Sequence, residues 1–102
     1  MVGKVERESV IEKYLVDQVV RAGGEARKVS WVGRSAAPDR LVILNGRLCF
    51  VEVKRPGERP TAAQQREAAR LGAAFATWVD SREGVDALVG KLLSGESING
   101  AG

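Results

Sequence analysis

The sequence predicts an α/β domain with one mixed sheet flanked by helices, and three observations carry that expectation. Apolar residues recur at helical spacing between Ile11 and Ala22 and again between Val85 and Leu93. Between those stretches lie short runs of Val, Leu, Ile, Phe and Trp, bounded by Gly, Pro and Asn as strands are. The chain has 102 residues and a hydrophobic fraction of 44%, enough for a single core but not two. The expected order is α-β-β-β-α-β-α.

Taken in order, the first helix is expected from Val10 to Ala22. Ser9 fits an N-cap with Glu12 reaching back as its capping-box partner, and Gly23-Gly24 supplies the stop. Ala26 to Val32 alternates loosely and reads as a first strand, followed by a loop from Gly33 to Pro38. Two apolar runs then meet at Asn45-Gly46, the strongest short-range signal for a two-residue type I′ hairpin. Its strands are expected near Arg40–Leu44 and Arg47–Lys54. Arg55 to Pro60 is a basic, turn-rich loop. Thr61 and Gln64 form a second capping box, opening a helix that Ala68, Ala69 and Leu71 bury. Phe75–Val79 is a fourth strand, and Asp80-Ser81 caps an extra C-terminal helix carrying Val85, Leu88, Val89, Leu92 and Leu93. This places a domain at residues 1–93 and a flexible Gly/Ser/Asn tail at 94–102.

Composition narrows the chemistry. Lys+Arg 16 against Asp+Glu 13 gives a net charge of +3, and most of the cations are Arg, the side chain suited to bidentate phosphate contacts. A polyanion partner is weakly favoured. With no His and a single Cys, an internal disulfide, a Cys/His zinc site, His acid/base chemistry and a Cys-His nucleophile are all excluded. Any metal chemistry must run on carboxylates. Cys49 reads as a small core residue. No run is long enough for a membrane span and no signal peptide opens the chain, so a cytoplasmic location is the expectation.

The hairpin concentrates what remains. Counting outward from Asn45-Gly46 sets Leu44 opposite Arg47, Leu41 opposite Phe50 and Asp39 opposite Glu52. Lys54, two residues on, shares their face. Two carboxylates about 5 Å apart repel by roughly 3 kcal/mol at an effective dielectric near 20. A divalent cation between them removes that repulsion, and oxygen ligands suit a hard ion such as Mg²⁺ or Mn²⁺. The plainer reading is a hairpin with a solvated polar face, Pro38-Asp39 being turn punctuation.

Pro38-Asp39 followed by Glu52-Val53-Lys54, inside this element order, resembles the PD-(D/E)XK nuclease superfamily. The blocks Glu8 to Glu12, Ala37 to Val42, Phe50 to Gly57, Pro60-Thr61 with Gln64, and Val79 to Ser81 resemble its VRR-NUC family more narrowly, from about Glu8 to Leu93. The resemblance implies a Mg²⁺- or Mn²⁺-dependent endonuclease that hydrolyses phosphodiester bonds in branched DNA, such as Holliday junctions or flaps, in replication, recombination or repair. Asp39 and Glu52 would ligate the metal by side chain and Val53 by its carbonyl. Lys54 would orient or help deprotonate the attacking water, Glu8 or Glu12 would complete the site, and Gln64 would line its edge. A homodimer without nucleotide cofactor, inside a bacterial or phage-infected cell, is implied as well. Arg34, Arg40, Arg47, Arg55, Arg59 and Arg66 are candidates to hold flanking phosphates, with plain surface as the alternative for roughly half of them. A basic junction-binding or partner-docking module that does not cut is the competing function. Ala36 and Ala73 stand where the family commonly has Gly.

Overall fold

A computed structural model describes residues 7–98. Seven elements follow one another: α1 (Glu8–Arg21), β1 (Glu25–Lys28), β2 (Arg40–Leu44), β3 (Arg47–Val53), α2 (Ala62–Leu71), β4 (Ala76–Val79) and α3 (Arg82–Ser94). The sheet runs β1-β2-β3-β4. Its first three strands are antiparallel neighbours, whereas β4 lies parallel to β3. That parallel pair requires a crossover, which α2 provides. The α/β class and the order of elements agree with the expectation.

The hairpin follows its turn. Asn45 (φ 55°) and Gly46 (φ 72°) both adopt the left-handed conformation that a type I′ turn requires. Leu44 pairs with Arg47 and Leu41 with Phe50, as counted from the sequence. Asn45 does more than turn: its Nδ2 donates to the carbonyls of Leu92 (3.1 Å) and Leu93 (3.2 Å). Arg47 Nη1 reaches the carbonyls of Lys91 (3.0 Å) and Glu96 (2.7 Å). Asn45 thus gives partners to the Leu92 and Leu93 carbonyls in the last turn of α3, and Arg47 sets a cation at the negative end of its dipole.

One face of the sheet is sealed. Ile11, Leu15 and Val19 of α1 and Val85, Leu88 and Leu92 of α3 pack with Val42, Leu44, Cys49, Val51, Val53 and Val79. Alternation along β3 turns Cys49, Val51 and Val53 inward and Phe50 and Glu52 to the other face. Tyr14 joins the two helices at the rim, its hydroxyl donating to Asp86 at 2.7 Å. Gly24 closes the α1–β1 connection so tightly that a Cβ there would run into the Ile43 carbonyl oxygen.

Several local expectations are corrected. α1 begins at Glu8, one turn-position ahead of the anticipated Ser9 cap, and its N-cap Arg7 makes no side-chain cap bond. Glu12 has other partners, described below. β1 ends at Lys28 rather than Val32, β3 ends at Val53 rather than Lys54, and β4 starts at Ala76 rather than Phe75. Trp31 leaves β1's line to meet Phe50 in a tilted ring contact, centroids 6.0 Å apart and planes at 60°. The Thr61–Gln64 capping box is complete in both directions, yet the buried residue of α2 is Glu67, with Ala69 exposed. At the C-terminal end, where little burial was expected, α3 continues through Ser94 and Ile98 is 2% exposed within the core. Residues 99–102 of the anticipated tail lie outside the described residues.

Replacing Asn45 with Ala removes two bonds to the end of α3 and places a Cβ-only side chain at a positive φ. A loss of about 2 kcal/mol is expected, measured as a lowered urea midpoint with unchanged slope.

Candidate functional site

The site begins where the β2–β3 ladder ends. Its last paired rung is Arg40 with Val51, so the register stops short of the Asp39–Glu52 pair counted from the sequence, and the next hydrogen-bonding rung would join residue 38 to Val53. Pro38 has no N–H, so this rung holds no donor for the Val53 carbonyl. Instead of a main-chain acceptor, the Val53 N–H meets the Asp39 carboxylate: Oδ2 accepts it at 2.7 Å. The Asp39 N–H turns back to the Val51 carbonyl at 3.1 Å. The Pro-Asp step therefore stops the sheet, fixes one carboxylate and releases one carbonyl, all at Val53.

Glu52 stands next along β3, its side chain 12% exposed. Its Oε2 accepts from Gln64 Nε2 at 2.9 Å and lies 3.7 Å from Lys54 Nζ. Gln64 is held from its other end, because its Oε1 accepts the Thr61 N–H at 2.9 Å in the capping box. With the oxygen so engaged, the amide has only its NH₂ to offer Glu52. Among the described residues, no hydrogen bond takes Asp39 Oδ1 or Glu52 Oε1.

Charge is unbalanced there. Burial pushes the Glu52 carboxyl up, and the charges of Asp39 and Glu8 add to it against the opposing pull of Lys54, for a pKa of about 7. Glu8, the first residue of α1, is also raised, first by burial and then by Asp39, with Lys54 again opposing. Glu8 therefore shares the electrostatic field of Asp39, Glu52 and Lys54. Glu12 belongs elsewhere: its Oε2 accepts from Arg40 Nε at 2.7 Å and Lys28 Nζ at 3.1 Å. Burial raises it, but those hydrogen bonds outweigh burial and hold it below the usual carboxylate range. Of the two acids left open by the sequence, Glu8 is the one whose charge acts on Glu52, while Glu12 is paired with Arg40 and Lys28.

The candidate arginines separate in the same way. Arg40 is committed to Glu12 and the Ala26 carbonyl, and Arg47 to the end of α3, which leaves both turned away from an outside phosphate. Arg55 pairs with Glu58 across the surface at 3.4 Å. Arg59 and Arg66 are exposed and make no ion pair among the described residues. Arg34 is bonded to Glu67, 3.0 Å away. Sequence reasoning missed Glu67 and its second partner Arg70 (3.2 Å). The available signal was an acid three residues after Gln64, on the same side of α2. Gln65 bonds the Pro60 carbonyl and plays a local part.

A small pocket of about 20 Å³ opens beside these groups, walled by Ala36, Pro38, Phe50, Glu52, Gln64 and Glu67 among others. Ala36 has φ 64°, a conformation that costs a non-Gly residue about 1–2 kcal/mol.

The residues fit a hard divalent ion in one specific sense. Among the described residues, no group of three His, Cys, Asp or Glu side chains forms a metal cage. Asp39 is bonded to the Val53 N–H and its charge acts on Glu52, the preceding residue of β3, and Mg²⁺ is commonly held by one or two carboxylates, with water and substrate phosphate filling its sphere. Excess negative charge at Glu52 supplies the electrostatic demand.

Two outcomes are expected. Glu52 is protonated up to about pH 7 in the folded protein but only to about pH 4.5 unfolded, so the metal-free protein loses stability as pH rises from 4.5 to 7 and is flat above it. After allowance for solvent screening, the loss is about 2 kcal/mol. Urea denaturation in EDTA at pH 5 and 8 measures it, and Glu52→Gln removes most of the difference, Glu8 accounting for part of the remainder. Ala36→Gly, which relieves the left-handed strain at some cost in unfolded-chain entropy, raises stability by about 0.5–1 kcal/mol in the same assay.

Comparison with known proteins follows the same lines. No protein-family model matches the chain. A curated relative, "Putative nuclease p44" of Acyrthosiphon pisum secondary endosymbiont phage 1, is 56% identical over 66 residues, covering 64% of this chain and 71% of the relative. A solved structure described as "VRR_NUC domain" superposes with a TM-score of 0.75 at 40% identity, over 81% of this chain and 94% of that one. With the sheet, the crossover helix and the Pro38-Asp39/Glu52-Val53-Lys54 constellation in place, the chain belongs to the VRR-NUC family of nucleases.

Proposed function

We propose that the protein is a Mg²⁺- or Mn²⁺-dependent DNA endonuclease, selective for branched DNA and active as a homodimer. The observation that carries this reading is the pair of close carboxylates, Asp39 and Glu52, with Glu52 raised to about 7. A fold maintained for stability alone gains nothing from that pair.

Asp39, Glu52 and the Val53 carbonyl would hold the ion. Bound there, it supplies a water made nucleophilic near neutral pH and neutralises charge developing on the phosphate. The protein's own groups do the rest. Asp39 is held in place by the Val53 N–H, and Glu52 is oriented by Gln64, so neither carboxylate must be ordered when substrate arrives. Lys54, only 11% exposed, presents its ammonium from the same face as Glu52 and is placed to hold the attacking water or a non-bridging phosphate oxygen. Glu8, raised by burial and by Asp39, is the acid on the α1 side that would accept a proton of that water. Arg59 and Arg66, candidate arginines that make no ion pair among the described residues, contact the neighbouring backbone.

Each chain carries one such site and cuts one strand, so symmetrical cutting of a four-way junction calls for two sites related by a two-fold axis. The family assignment and the Arg excess support DNA as the substrate; the preference for branched forms rests on the family likeness.

Incubating the protein with labelled four-way, flapped and linear duplex DNA, with Mn²⁺ and with EDTA, tests the reading. Metal-dependent cutting that falls at least about a hundredfold in Glu52→Ala is expected. Binding without cutting under every condition would leave a junction-binding module instead. Sedimentation at assay concentration gives a dimer; a monomer rules out the paired-site arrangement.

A further inference from the structure

Glu67 is an unusual residue for the middle of a short surface helix. Its side chain is 8% exposed, and both of its ion-pair partners reach the same oxygen: Arg34 Nη2 at 3.0 Å and Arg70 Nη1 at 3.2 Å to Oε1. The two guanidiniums are themselves half exposed, 53% and 58%. A buried carboxylate therefore gathers two arginines to within a few ångströms of each other while their outer donors face solvent. One negative charge answers two positive ones, which leaves the cluster net cationic. Each guanidinium has five N–H donors in a planar fork, and holding two forks side by side without an acid between them would be costly.

Its position gives the cluster meaning. Arg34 comes from the loop that leads into Pro38-Asp39, while Arg70 and Glu67 come from α2, which also carries Gln64. Glu67 and Glu52 line the same small pocket. The cluster lies one turn along α2 from the Gln64–Glu52 contact, about 4.5 Å of helix rise.

We propose that Arg34 and Arg70, held together by Glu67, form a phosphate subsite for the nucleic-acid backbone next to the bond that is cut, with Glu67 as its positioning residue. This rests on the nuclease reading for its place in the reaction, but the binding of phosphodiester backbone can be measured without cutting. The acid lowers the mutual repulsion of the two arginines, and its burial fixes where they meet. A backbone phosphate then takes donors from both forks at once.

The test is the salt dependence of binding. Fluorescein-labelled duplex DNA is titrated with the full-length protein in EDTA over a range of NaCl, using anisotropy. Arg34→Gln, Arg70→Gln and the double variant are compared with Arg21→Gln, which removes the same charge from the exposed end of α1. Either single variant leaves Glu67 one partner, so folding is retained and is checked by circular dichroism. If the subsite exists, each single variant lowers the slope of log K against log[salt] by about 0.9, the value of one phosphate contact. Each weakens binding about five- to tenfold at low salt, and the double variant loses little more than either single one. Arg21→Gln changes the slope by clearly less. Singles that match Arg21→Gln, or a double variant whose loss is the sum of its parts, overturn the subsite. Loss of the slope in a protein that never cuts DNA would retain it and remove only its link to catalysis.

Discussion

The hydrogen bond from the Val53 N–H to the Asp39 carboxylate is the point at which a stable sheet becomes a reactive site. A side chain takes the place of the main-chain acceptor expected on that rung, and the residue before it, proline, has no donor to offer in return. The ladder ends there for a chemical reason. From that one exchange follow a carboxylate whose position is set by the backbone, a carbonyl released from sheet pairing, and a chain direction that carries residues 33–37 across to α2. The opposite face of the same strand contributes Val51 and Val53, fully buried, to the core. β3 is thus rigid on one side and charged on the other, with no residue between the two functions.

That arrangement carries a stability cost, and its location explains why the fold tolerates it. Asp39, Glu52 and Glu8 repel one another across a region with one nearby lysine, and burial makes the ionised form of Glu52 dearer still. The thirteen buried apolar residues on the far side of the sheet offset such a penalty. Two other acids are answered directly by cations. Glu12 is neutralised by Arg40 and Lys28, and Glu67 by Arg34 and Arg70. The molecule separates its carboxylates into paired ones, which hold segments together, and crowded ones, which have a use for a cation.

Which parts were legible in the sequence follows from how local each signal is. The hairpin register could be counted because Asn45-Gly46 fixes it within two residues, and with the register came the grouping of Asp39, Glu52 and Lys54. The Thr61–Gln64 box was legible because both partners lie in one helical turn. Ser9–Glu12 has the same spacing but failed: α1 starts at Glu8, and Glu12 meets cations on β1 and β2 that lie 16 and 28 residues away. The same distance problem hid the fates of Arg40 and Arg47, whose partners are the first and last helices. β1 was overextended because the alternation in residues 29–32 reflects Trp31 seeking Phe50 rather than a continuing ladder. Glu67 could not be recognised as buried, since its burial depends on an arginine 33 residues earlier in the chain.

Gln64 shows how closely secondary structure and chemistry are joined here. A primary amide is ambiguous, able to present oxygen or NH₂ to a neighbour. At Gln64 the ambiguity is removed by the helix itself, because the capping box takes the oxygen and so directs the NH₂ to Glu52. Glutamate would cap the helix equally well but would set another negative charge against Glu52, and leucine would remove the acceptor of the Thr61 N–H and the amide donor to Glu52. Only an amide serves the helix start and the acid together. The beginning of α2 is therefore part of the site's construction, and any motion of that helix is transmitted directly to the orientation of Glu52.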